Sequence, residues 1–299
     1  MADAWKMTAF GSKDAIEGAL VAQELALGWD EDIVLAGFEV AEDKPEEWKL
    51  DAYLPRKPTA RDIAAIEGLF DGQSPTFTTE RLPDADWVTE SQKGVDPIRA
   101  GRFHVRTPDH PAPGDGAVDM VIPASQAFGT GQHATTAGCL IMLERMRREG
   151  VSVKNAIDVG TGTGLLAFAA RHLWPRALMT ASDIDPVCEG VVAENAALNR
   201  VPMSARRGGV LMTTADGLDD PLLAARGPYD LLIANILARP LIELAPDFAR
   251  AVVPGGHVLL AGLLTTQEAA VRRAYRLRGF RLARRLVRGD WSILWLRRR

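Results

Sequence analysis

The sequence contains only two cysteines, Cys139 and Cys188, among its 299 residues. Neither belongs to a Cys-x-x-Cys pair or stands with histidines at metal-ligand spacing, so we expect no disulfide framework and no metal site. The chain also lacks any run of 18 uncharged apolar residues, and its amino terminus has no basic flank followed by an apolar stretch. We therefore expect a cytoplasmic protein that does not enter a membrane.

Charge is unevenly distributed along the chain. Residues 1–100 contain 21 Asp and Glu against 10 Lys and Arg, whereas residues 272–299 contain 11 Arg and a single acid. An acidic first part suits a basic macromolecular partner, although a solvated acidic surface explains it equally well. The arginines Arg281, Arg284, Arg285 and Arg288 fit the solvated edge of a sheet better than a phosphate contact. Direct contact with RNA is therefore not expected.

The first part of the chain has the element order βαββαβ. The hydrophobic periodicity predicts strands at 5–10, 33–40, 48–54 and 76–82, and helices at 14–27 and 60–70. Thr59 is placed to cap the second helix with its hydroxyl. This order predicts a small α+β ferredoxin-like domain over residues 1–82. Residues 83–100, which have little apolar content and include Pro83, Gly94 and Pro97, are predicted to be a linker.

From residue 101 onward, predicted strands and helices alternate. The strands are 156–159, 178–182, 229–233, 257–261 and 291–296, and the helices are 137–148, 165–172, 186–199, 239–252 and 266–277. Such alternation is typical of a parallel sheet with helices on both faces. We predict that residues 101–299 form an α/β domain with a doubly wound, mostly parallel sheet.

A glycine-rich loop joins the first of these strands to its helix. It reads Asp158-x-Gly160-x-Gly162-x-Gly164, and Asp183 ends the next apolar run. Glycines allow a sharp turn and a close approach of the backbone to a ligand, and a carboxylate at the end of the second strand can accept both ribose hydroxyls. The combination predicts a nucleoside-containing cofactor.

Spacing favours S-adenosylmethionine over a nicotinamide dinucleotide. The dinucleotide fingerprint Gly-x-Gly-x-x-Gly, begun at Gly160, would place its third glycine at Leu165. The acid at the head of the loop, Asp158, also suits a cationic amino-acid cofactor better than a phosphate.

Two further segments complete an ordered set of four motifs. Residues 127–136 read Ala-Phe-Gly-Thr-Gly-Gln-His-Ala-Thr-Thr, residues 183–186 read Asp-Ile-Asp-Pro, and residues 234–237 read Ala-Asn-Ile-Leu. With the glycine loop, this set resembles the bacterial ribosomal protein L11 methyltransferases. The resemblance implies a Rossmann-like class I methyltransferase domain that uses S-adenosylmethionine, and a ferredoxin-like first domain that docks the protein substrate.

The resemblance also implies cofactor contacts. It assigns Thr136, Gly160, Asp183 and Asn235 to S-adenosylmethionine, and we add Phe128, Asp158 and Gly162 from the same motifs. Without the motif, Thr135 and Thr136 would be interpreted only as an amino-terminal cap for the following helix. Asp216 is either an acceptor for the adenine amino group or a solvated turn residue.

The family modifies amines, which assigns roles to two more side chains. Asn235 lies at the carboxyl end of a core strand, where its side-chain oxygen can accept a hydrogen bond from the incoming amine, and a turn-forming role is the alternative. His133 is either a general base or a residue that orders its loop. Asn235 and His133 are thus the predicted catalytic residues.

We therefore expect a monomer that transfers methyl groups from S-adenosylmethionine to lysine and α-amino groups of ribosomal protein L11. One alternative is methylation of lysines in a different protein. Another is a catalytically silent module that keeps the fold and the cofactor, although Asn235 and the loop around His133 argue against it.

Overall fold

The structure is a computed structural model that describes residues 5–26, 29–30, 32–40, 47–70, 72, 75–81, 97–123 and 132–299. The chain divides into two compact units, residues 1–89 and residues 90–299. Within the described ranges, no helix is long and apolar enough to cross a bilayer.

The first unit is a four-stranded antiparallel sheet with two helices. Its elements are β1 (Trp5–Ser12), α1 (Lys13–Leu25), β2 (Val34–Glu39), β3 (Glu47–Leu54), α2 (Ala60–Glu67) and β4 (Thr78–Arg81). The strand order β2-β3-β1-β4, with antiparallel pairing throughout, is that of a ferredoxin-like fold and confirms the prediction.

Local sequence signals explain where both helices begin. The Ser12 hydroxyl accepts a hydrogen bond from the Ala15 amide at the start of α1. The Thr59 hydroxyl accepts one from the Asp62 amide at the start of α2, and the Asp62 carboxylate accepts one from the Thr59 amide. This reciprocal pair is a capping box, which satisfies amides that the first helical turn leaves unpaired.

The second unit contains a seven-stranded sheet. Its elements are β5 (Ile98–Ala100), β6 (Phe103–Arg106), β7 (Val118–Val121), α3 (Gln132–Arg148), β8 (Asn155–Val159), α4 (Leu165–Leu173), β9 (Leu178–Asp183), α5 (Val187–Leu198), β10 (Val210–Thr214), α6 (Pro221–Arg226), β11 (Tyr229–Asn235), α7 (Ala238–Glu243), α8 (Ala245–Ala251), β12 (Val252–Leu264), α9 (Glu268–Leu277), β13 (Phe280–Arg288) and β14 (Trp291–Arg298). The order is β10-β9-β8-β11-β12-β14-β13, and β5, β6 and β7 form a separate small sheet.

The large sheet is parallel from β10 to β12, and β13 and β14 add an antiparallel edge. Helices α3, α4 and α5 pack in one buried cluster against one face, and α6 to α9 pack in a second cluster against the other. This confirms the predicted doubly wound, mostly parallel α/β architecture. The carboxyl ends of the parallel strands meet at one edge, where such sheets bind ligands.

Several elements differ from the sequence prediction. The single helix expected over 239–252 is two helices, α7 and α8, because Pro246 has no amide hydrogen to continue the helical ladder. Strands β5, β6, β7, β10 and β13 and helix α6 were not predicted. Helix α3 begins at Gln132 rather than near Ala137, so Thr135 and Thr136 lie inside it and their interpretation as a cap is wrong.

Candidate functional site

The glycine loop lies between the end of β8 and the start of α4. It is fastened to β9, because the amides of Gly160 and Thr161 both donate to the Ser182 carbonyl, at 2.8 and 3.0 Å. The side-chain amide of Asn195, which is buried in α5, donates to the Thr163 carbonyl at 2.9 Å. The loop is therefore held from two sides, by hydrogen bonds to β9 and to α5.

Two glycines of the loop face different surroundings. Gly160 has φ of +69°, and a Cβ atom there would lie 2.3 Å from Cγ2 of Ile236. Gly162 has φ of +54°, and no heavy atom of a described residue lies within 4 Å of the position that its Cβ would occupy. Both positions favour glycine by conformation. Gly160 also permits close packing inside the protein, whereas Gly162 borders an open space beside the loop that none of the described residues fills.

Asp183 borders that open space from the end of β9. One carboxylate oxygen accepts a hydrogen bond from the Gly162 amide at 2.8 Å, and the other accepts one from the Asp185 amide at 3.2 Å. An ionised carboxylate has about four acceptor sites, so each oxygen retains capacity for a hydroxyl donor. Ile184 and Val187 beside it are 65% and 68% exposed, which adds apolar surface next to the carboxylate.

Asp158 lies beneath the loop rather than on its open side. Its side chain is buried, and its Oδ2 atom accepts hydrogen bonds from the Thr161 hydroxyl at 2.7 Å and the Ala167 amide at 3.1 Å. Its Oδ1 atom is buried without a hydrogen-bond partner among the described residues. Burial, with a smaller contribution from the Asp183 carboxylate, raises the pKa of Asp158 to about 7.

Asn235 ends β11 and is half-buried at the carboxyl edge of the sheet. The next residue, Ile236, packs between two glycines. Its Cγ2 atom fills the space beside Gly160, and its backbone oxygen would lie 2.3 Å from a Cβ at Gly262 of β12. The segment that carries Asn235 is therefore wedged between the glycine loop and β12.

Thr136 lies in the second turn of α3 and is buried. Cys139 follows three residues later on the same helical face. Burial, with a smaller contribution from the Asp158 carboxylate, raises the pKa of the Cys139 thiol, which is fully buried. Thr136 and Cys139 therefore share a buried face of α3.

The remaining predicted site residues are described only in part. Phe128 lies outside the described residues, and for His133 the structure describes the backbone in the first turn of α3 but not the side chain. Asp216 is exposed in the turn after β10, so both of its possible roles stay open. No group of three or more His, Cys, Asp or Glu that could hold a metal ion occurs in the described part of the chain.

Sequence reasoning missed Asn195, Ile236 and Gly262. A polar residue among the apolar positions of a helix marked Asn195, and a glycine inside an apolar strand marked Gly262. Together the arrangement offers an open backbone cradle, a carboxylate with free acceptor capacity and adjacent apolar surface. These are the features that bind the sugar and base of a nucleoside.

Comparisons with known proteins agree on one family. Residues 12–299 match the family model for ribosomal protein L11 methyltransferase (PrmA). The chain is 39% identical over 274 residues to the ribosomal protein L11 methyltransferase of Agrobacterium fabrum, covering 90% of each chain. It is 40% identical over 271 residues to that of Brucella melitensis, again covering 90% of each. The solved ribosomal protein L11 methylase from Lactobacillus delbrueckii subsp. bulgaricus is 26% identical with a TM-score of 0.56, covering 69% of this chain and 99% of that chain.

Proposed function

We propose that this chain, which belongs to the ribosomal protein L11 methyltransferase family, transfers methyl groups from S-adenosylmethionine to lysine and α-amino groups of ribosomal protein L11. Family membership confirms the resemblance inferred from the four motifs. The observation that carries the proposal is the open space beside Gly162, bordered by the Asp183 carboxylate. A nucleoside cofactor requires both features, and they lie at the edge of the sheet where this fold binds ligands.

The residues present fit S-adenosylmethionine. Asp183 has acceptor capacity for the two ribose hydroxyls, and Gly160 and Gly162 let the backbone approach the cofactor. Thr136 contacts the cofactor from α3, and Asp158 supports the loop from below through Thr161. Phe128 and Asn235 complete the proposed set of contacts.

The cofactor, when bound, supplies a methyl group on a cationic sulfur, which is already a strong electrophile. The chain's own task is to align the acceptor amine and exclude water. A free lysine has a pKa of about 10.4, so only roughly one in several thousand is neutral at pH 7. Asn235 can accept a hydrogen bond from the neutral amine at the strand end and orient it, and His133 is the proposed base for the departing proton.

The first unit is proposed to recognise the protein substrate. Its helices cover one face of the sheet, where Met7 and Ala9 are buried. On the other face Phe10 is 61% exposed and Val34 is 56% exposed. Exposed aromatic and aliphatic side chains of this kind are typical of contact surfaces between proteins. The excess of acids in residues 1–100 suits a basic partner.

The test uses purified full-length chain, radiolabelled S-adenosylmethionine and a lysate from cells lacking the enzyme. We expect label in ribosomal protein L11, located by mass spectrometry on lysines and the amino terminus. Asp183→Ala is expected to bind S-adenosylhomocysteine more weakly, because a charged acceptor of two hydroxyls is lost.

The outcomes separate the alternatives. If label appears only in other proteins, ribosomal protein L11 is not the substrate. The alternative, methylation of lysines in a different protein, is then supported. No label with intact S-adenosylhomocysteine binding indicates a silent cofactor-binding module. Unchanged S-adenosylhomocysteine affinity in Asp183→Ala contradicts the role given to that carboxylate.

A further inference from the structure

Gly138 is one point at which α3 touches the carboxyl-terminal hairpin formed by β13 and β14. A glycine inside a helix costs about 0.5–1 kcal/mol relative to alanine, so its presence there calls for a packing reason. A Cβ atom at Gly138 would lie 2.5 Å from Cδ1 and 2.6 Å from Cγ1 of Ile293, well inside the carbon contact distance of about 3.5–4.0 Å. The helix therefore packs on β14 at a distance that only glycine allows.

Ile293 has little freedom to move away. It is fully buried, and it lies on a strand flanked by β12 and β13, where its register partner is Leu286. The adjacent Ser292 hydroxyl donates to the buried Glu268 carboxylate at 2.7 Å, and Arg285 of β13 donates to the same oxygen at 2.6 Å. The hairpin is thus held from the face opposite α3.

The same hairpin also holds the other end of α3. Glu149, directly after the helix, forms an ion pair with Arg284 of β13 at 3.0 Å. The Arg284 guanidinium also lies over the ring of Trp295, with 5.9 Å between its central carbon and the ring centroid. Helix α3 therefore contacts the hairpin at two points along its length, and one of these contacts depends on Gly138.

Gly138 stands in the same turn of α3 as the buried residues Thr136 and Cys139. A side chain at Gly138 would push this turn of α3 away from β14 and shift Thr136 with it. We propose that Gly138 is a positioning residue that sets Thr136 against the cofactor through the contact of α3 with Ile293. This inference rests on the proposed function, in which Thr136 contacts the cofactor.

The test compares wild type, Gly138→Ala, Ile293→Ala and the double variant by calorimetric titration with S-adenosylhomocysteine. Gly138→Ala is expected to bind about tenfold more weakly, the loss of roughly one hydrogen bond. The double variant, in which the obstructing side-chain atoms are removed, is expected to regain affinity close to that of Ile293→Ala alone. The cofactor KM of Gly138→Ala should rise while kcat at saturating cofactor stays near wild type, because only a cofactor contact is displaced.

Gly190→Ala in α5 is the matched control, since no heavy atom from the described ranges lies within 4 Å of its Cβ position. It is expected to leave cofactor affinity unchanged. A folded Gly138→Ala that binds like wild type overturns the inference, and so does a double variant that binds as weakly as Gly138→Ala. If Gly138→Ala does not fold, a folded double variant with affinity equal to Ile293→Ala supports the inference, and an unfolded or weaker one overturns it.

The two proposals fail in different ways. A wild-type chain that does not bind S-adenosylhomocysteine overturns the proposed function and this inference with it. A wild-type chain that binds, together with a Gly138→Ala variant that binds equally well, overturns only the positioning role. A change in thermal stability without a change in affinity also overturns it, because Gly138 then serves packing alone.

Discussion

Asp158→Asn tests whether the carboxyl beneath the glycine loop keeps its proton near neutral pH. Asparagine has nearly the same shape, and its side-chain oxygen can still accept from the Thr161 hydroxyl and the Ala167 amide. Its NH2 group replaces the oxygen that has no partner among the described residues. The cost of burying that group does not depend on pH, so the pH dependence isolates the ionisation of Asp158.

The magnitude follows from the shift of the pKa from 3.8 to about 7. Between these values the folded protein holds a proton that the unfolded chain has released. The free energy of unfolding therefore falls as pH rises, by about 1.4 kcal/mol per pH unit. From pH 5 to pH 8 the wild type should lose roughly 2–3 kcal/mol relative to Asp158→Asn.

Differential scanning calorimetry at pH 5 and pH 8 measures this difference. For a unit the size of residues 90–299, 1 kcal/mol corresponds to about 2–4 °C in Tm. The Tm of wild type minus that of Asp158→Asn should therefore fall by roughly 5–10 °C between the two pH values. Asp109→Asn, at an exposed turn position, is the control and should show no such trend. A difference that is constant with pH, or that rises with pH, refutes a buried and protonated Asp158.

Two further pairs of substitutions are predicted to differ within each pair. Gly162→Ala should cost only about 1–2 kcal/mol of backbone strain, yet it should weaken S-adenosylhomocysteine binding. Gly160→Ala should lower Tm more than Gly162→Ala does, because a Cβ at Gly160 would collide with Ile236. Unchanged affinity in Gly162→Ala contradicts the open cradle. Tyr275→Phe should stabilise the protein by about 1 kcal/mol, because the buried Tyr275 hydroxyl has no partner among the described residues. Tyr229→Phe should destabilise it by a similar amount, because the Tyr229 hydroxyl donates to the Leu223 carbonyl. Urea unfolding measures the change in the free energy of unfolding for both tyrosine variants. Changes of the same sign in the two variants would contradict the reasoning.

The architecture could be predicted because each buried element repeats a local signal. Apolar runs of strand length alternate with helical periodicity from β8 to α9, and this pattern specifies a parallel sheet without knowledge of any distant contact. The missed strand β13 lacks this signal. In β13 most positions are exposed, and four of its nine residues are arginines. Its place in the sheet depends on pairing with β14, which sequence periodicity does not reveal.

The candidate site was predictable where one motif carries the chemistry. Gly162 and Asp183, expected to share a ligand, are joined by a hydrogen bond of 2.8 Å. Asp158 shows the limit of this reasoning. The acid was expected to face the cofactor, and the structure shows it buried, with one oxygen bonded to Thr161 and Ala167. Whether a side chain at a strand end turns toward the ligand or into the core depends on packing from neighbouring elements, which residue type alone does not determine.

At this edge of the sheet, close packing around one residue links three parallel strands, β8, β11 and β12. Ile236 fills the space left by Gly160 after β8 and the space left by Gly262 in β12, and it directly follows Asn235 at the end of β11. A side chain at either glycine would displace the segment that carries Asn235, although the two glycines are far apart in the sequence. The glycine loop therefore has two proposed functions. It shapes the proposed cofactor cradle, and Gly160 determines how closely the segment that carries Asn235 packs against the loop.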